Sequence, residues 1–88
     1  MVRLTLRDGS RYEIRPLGGA ASDRPLAVRF DRLYHEPMSA EEFLAEVTAF
    51  VVAVLRRAGA RRTAEALATL VDLELYARVV RALRGLPA

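Results

Sequence analysis

The groups that could carry out chemistry in this sequence are few. His35 is the only histidine, and it sits beside Glu36 just before Pro37. A histidine at a helix end more often meets terminal carbonyls or water than a substrate. Glu41, Glu42 and Glu46 form an acidic patch, but they fall on the first turns of a predicted helix, where the macrodipole already favours negative charge. Gly18-Gly19 lacks the surrounding pattern of a phosphate-binding loop. There is no cysteine, so thiolate catalysis, disulfides and sulfur metal sites are excluded, and one histidine cannot make a histidine cluster. No catalytic residue, cofactor or metal is expected, and the chain is not read as an enzyme.

The remaining polar chemistry is arginine. All 14 basic residues are Arg. Residues 1–55 hold seven of them against eight acids, and residues 56–88 hold seven against three, so the net charge of +3 belongs to the C-terminal third. Arg56, Arg57, Arg61 and Arg62 cluster at a break between two predicted helices, with Arg78, Arg81 and Arg84 able to extend the surface. That layout fits phosphate contacts by a small DNA-binding regulator. The charge is modest for that task, however, and with no Asn, Gln or Lys the following helix has little to read bases with. Nucleic acid is therefore the alternative partner.

The elements that must position these groups follow from apolar spacing. Val2, Leu4 and Leu6 alternate with polar residues, and Tyr12 and Ile14 resume the alternation after Asp8-Gly9, which predicts a hairpin. A two-residue loop would oppose Leu4 to Glu13. A three-residue loop, Arg7-Asp8-Gly9, with Gly9 left-handed, opposes Leu4 to Tyr12 and Val2 to Ile14, and is the expected turn. Residues 16–24 read as a connection ending at a helix capped by Ser22 or Asp23, with Pro25 in its first turn and a stop at Pro37.

Ser39 and Glu42 have the spacing of a capping box and open a helix predicted from Ala40 to Ala58. Its expected core stripe is Ala40, Phe43, Leu44, Val47, Phe50, Val51, Val54 and Leu55, ended by Gly59. Thr63 caps a short helix through Leu70. Asp72 caps a last one from Leu73 to Arg84, with Leu73, Tyr76, Ala77, Val80 and Leu83 expected inward. The fold class is mainly α (α+β): an N-terminal β-hairpin followed by three to four helices, in one small domain over 1–88.

Ala49, Val52 and Ala53 are left over on the far side of the long helix, and a helix apolar all round is central or at an interface. A homo-oligomer is the expectation. The nine-residue run VTAFVVAVL is too short to span a bilayer, and MVRLTLRDG alternates where a signal peptide would be continuously apolar. A cytoplasmic location without membrane attachment is expected.

The order of these features resembles the small tail assembly chaperones of long-tailed bacteriophages and prophages. YEIRPL at Tyr12–Leu17, the LYHE end of the first helix, the long helix closing on LRRAG, and TAEALATLVDLELYARVVRALRGL from Thr63 carry the resemblance. It implies a non-enzymatic protein that binds the tape-measure protein, keeps its apolar helices soluble and recruits tail-tube subunits. On this reading Val52, Leu75 and Val79 form the exposed partner-binding surface, with Arg56 and Arg57 steering an acidic client. Replacing Val52 and Val79 by Asp is then expected to leave the fold intact.

Overall fold

The computed structural model describes residues 1–87. Two strands, β1 (Val2–Thr5) and β2 (Arg11–Ile14), pair antiparallel with Val2 opposite Ile14 and Leu4 opposite Tyr12. The turn between them is the expected one. Leu6 N donates to Ser10 O at 2.8 Å, Gly9 N donates to Leu6 O at 2.9 Å, and Gly9 has φ 88°. A Cβ is disfavoured at that angle, which is why glycine stands there. The register puts Leu4, Leu6 and Ile14 on one buried face.

A turn of 3-10 helix at Ala21–Asp23 leads into α1 (Arg24–His35), followed by α2 (Ala40–Arg57), α3 (Ala64–Ala68) and α4 (Leu73–Leu83). The starts of the last three match their caps. Ser39 Oγ accepts from Glu42 N at 3.1 Å, Thr63 Oγ1 from Ala66 N at 3.2 Å, and Asp72 Oδ1 from Leu75 N at 2.7 Å. Each satisfies an amide that the first turn leaves without a helical partner. Only half of the capping box forms, since Glu42 makes no return bond to Ser39 N. The start of α1 differs from expectation: neither Ser22 nor Asp23 caps it through a side chain, because the Asp23 carboxylate is used elsewhere. The helix α3 also stops two residues short of Leu70, and α4 one short of Arg84.

The long helix α2 is the centre of the packing. Val47, Phe50, Val51, Val54 and Leu55 are buried in one core with Leu4, Ile14, Leu67, Val79 and Leu83. The hairpin lies on α4 and α2, as a two-stranded sheet must to be stable. Four expected inward residues are exposed instead: Ala40, Leu44, Leu73 and Ala77. Leu44 lies on the edge of the stripe in the N-terminal half of α2, and Leu73 opens α4, so both sit where the domain runs out of partners to cover them. No helix among the described residues is long and apolar enough to cross a membrane.

Candidate functional site

The three apolar residues expected to form the binding surface are not on the surface. Val79 is 0% exposed, Leu75 5% and Val52 9%. The physical reason lies in how α4 turns. Its buried residues are Leu75, Val79, Ala82 and Leu83, at spacings of four, three and one, so the inward face is rotated from the expected Leu73–Tyr76–Val80 stripe. Both stripes are apolar, and helical spacing alone fits either. The hairpin decides between them, because its buried face rests on α4. Val52 is held at the floor of a shallow groove between α2 and α3.

Arg57 is not free to steer a client either. Its Nε and Nη2 donate to Asp23 Oδ1 and Oδ2 at 3.0 and 3.1 Å, its Nη1 to Arg15 O at 2.6 Å and its Nη2 to Pro16 O at 3.1 Å. The two side chains are 12% and 9% exposed. Asp23 Oδ2 also accepts from Gly18 N at 3.1 Å, so one guanidinium and one carboxylate tie the whole β2–α1 connection to the end of α2. The Arg57 hydrogen bonds, and then that from Gly18, hold the Asp23 carboxyl below the usual carboxylate range.

The rest of the arginine cluster is divided. Arg62 Nη1 donates to Asp8 Oδ2 at 2.5 Å. Bonds from Ser10 and Arg62 hold the Asp8 carboxyl far below its ordinary value. Arg56 and Arg61 are exposed and make no ion pair among the described residues. Arg7 donates to Thr69 O and Arg78 Nη2 to Thr5 O at 2.8 Å, again fastening the hairpin to the helices. Arg57 and Arg62 thus clamp segments together, and of the four clustered arginines only Arg56 and Arg61 are left without an acidic partner among the described residues.

An open aromatic cleft lies in a different place. Among the described residues no Cα of α1 comes within 8 Å of one of α4, although both helices pack on α2. Phe30 stacks on Phe50 with centroids 5.8 Å apart, Tyr34 meets the Phe30 edge at 6.1 Å, and Tyr76 sits edge-on to both Phe50 and Phe43 at 6.1 and 6.3 Å. Such offset and edge contacts fix ring positions. On the α1 side, Leu17, Ala27, Phe30 and Tyr34 line a cleft of about 380 Å³. Arg84 spans its end with the guanidinium carbon 5.8 Å from the Phe30 centroid, within cation–π range. Tyr34 is 69% exposed. The Tyr76 phenol is pushed up mainly by burial, then by Tyr34, with Arg84 opposing.

The sequence puts Phe30 and Tyr34 one helical turn apart and Arg84 in a basic stretch. What it lacked was the gap between α1 and α4, which only the packing of both on α2 creates. His35 Nε2 lies 3.4 Å from Asp31 Oδ1 on the cleft rim, both largely exposed. The chain matches no protein-family model, no curated protein and no solved structure.

Proposed function

We propose that the protein is a tail assembly chaperone of a long-tailed phage or prophage that holds an amphipathic helix of the tape-measure protein in the cleft beside α1. The observation that carries this reading is the open aromatic cleft. Large rings are kept in place by Phe50 from below while Tyr34 remains exposed above, so apolar surface is presented without disturbing the core. A client helix would seat apolar side chains against Leu17, Ala27, Phe30 and Tyr34 and an acidic one toward Arg84. This replaces Val52, Leu75 and Val79 as the contact residues and Arg57 as the steering charge. Recruitment of tail-tube subunits rests on the resemblance alone.

Binding energy from such a site comes from burying a few anchors, which suits a transient holder better than a permanent subunit. Nothing in this role requires catalysis. The DNA-binding alternative is weakened by the pairing of Arg57 with Asp23 and Arg62 with Asp8. Co-expression with the tape-measure protein of the same genome is the test. Wild type is expected to bring the long protein into the soluble fraction and to co-purify with it. An insoluble client, together with salt-dependent retention of duplex DNA by the small protein, sinks the chaperone reading.

A further inference from the structure

We propose that a second copy of this chain covers the open face of α2, in a two-fold antiparallel dimer with Glu41 of each copy against Arg56 of the other. Residues 41, 45, 48, 49, 52 and 56 fall within an arc of roughly 100° of α2, on which all but the buried Val52 are exposed or half-buried. Ala45, Ala49 and Val52 on this arc, with Ala64 and Ala68 of α3, line a shallow apolar groove that no other element fills. Glu41 and Arg56 stand exposed at its two ends. Neither is in an ion pair among the described residues, where the only side-chain hydrogen bond of Arg56 is a long one of 3.4 Å to Arg62 O.

Those two charges lie about 22 Å apart along one helix, so they cannot meet within a copy. The face has a property that selects its occupant. Read backwards about the midpoint between Thr48 and Ala49, Glu41 exchanges with Arg56, Ala45 with Val52, and Thr48 with Ala49. An isologous interface requires this self-complementarity. Parallel pairing would instead set Glu41 against Glu41. Small side chains along the middle allow the axes to approach to about 8 Å, and antiparallel alignment brings each acidic N-terminal turn to the other's basic C-terminal turn. The dimer does not depend on the client cleft, which lies beside α1.

Sedimentation of the full chain from about 1 to 200 μM tests this. Reversible dimerisation in the micromolar range is expected from so narrow an interface. Glu41→Arg and Arg56→Glu should each weaken it at least about tenfold, since the two-fold doubles every repulsion, and the double variant should recover the wild-type constant. Both positions are exposed, and circular dichroism checks that the fold is unchanged. The chain has no cysteine, which allows a second readout. Ala49→Cys lies beside the two-fold and should cross-link to its own copy under mild oxidation. Ala45→Cys is held about 10 Å from its counterpart in this register and should not. A monomer throughout the range, a dimer indifferent to both charge reversals, or equal cross-linking at 45 and 49 overturns the proposal.

Discussion

The cleft beside α1 and the outer face of α2 are both apolar and both open, yet they are made of opposite materials. The cleft uses large rings whose positions are fixed by stacking on Phe50, with Arg84 over one of them. The outer face of α2 uses alanines, one nearly buried valine and a charge at each end. Preordered rings suit a foreign side chain, because the protein loses little conformational freedom when one is seated. Small residues suit a backbone that must come close. Exposed hydrophobicity is therefore two properties in this molecule, and only the α2 face is complementary to itself.

The largest expected effect separates either surface from the core. Val79 is fully buried under the hairpin and against α2, so Val79→Asp should cost more than about 4 kcal/mol and leave no cooperative thermal transition. Tyr34→Asp, on the exposed rim, loses only the edge contact with Phe30 and should cost no more than about 1.5 kcal/mol. If Val79→Asp melted like wild type, the rotated inward face of α4 would be wrong. The pair Val52→Asp and Val79→Asp is likewise expected to unfold the protein.

A smaller effect should divide the two surfaces from each other. Leu67 is the one buried residue of α3, and Leu67→Ala should cost about 2–5 kcal/mol. Its loss frees the wall that flanks the α2 face. Hydrogen exchange should then rise in α3 while the amides of α1 stay protected, because α1 packs on α2 and does not touch α3. Equal loosening of both would show that the surfaces are not built independently.

The smallest effect is a pH dependence. Asp23 has its carboxyl held below the ordinary range by Arg57 and Gly18, so the folded state binds its proton more weakly than the unfolded chain does. The stabilisation is therefore complete above about pH 5 and fades as pH falls below about 4 and through the depressed folded value. Measured as Tm, the advantage of wild type over Asp23→Asn should be largest near neutrality and shrink in acid. An advantage that grew on acidification would contradict the clamp at the β2–α1 connection.

Much of this architecture was legible in the residues. Leu4, Tyr12 and Gly9 carried the hairpin register, and Ser39, Thr63 and Asp72 marked three helix starts, because these signals act within a few residues of one another. The site was not legible in the same way. Leu75–Val79 and Tyr76–Val80 are both apolar stripes of α4, and the choice between them is made by strands that precede α4 by some sixty residues. The Asp23–Arg57 clamp joins residues 34 apart, and nothing local distinguishes Arg57 from the exposed Arg56 beside it. Long-range packing decides which apolar and which charged groups are left over, and the candidate site consists of those.

The central claim is that the cleft, and not the α2 face, takes the client. The most direct measurement is capture of the tape-measure protein by wild type, Tyr34→Asp and Glu41→Arg, each purified and confirmed folded. Tyr34→Asp is expected to lose more than about tenfold in capture while Glu41→Arg retains it. Undiminished capture by Tyr34→Asp, or its loss in Glu41→Arg alone, would contradict the account.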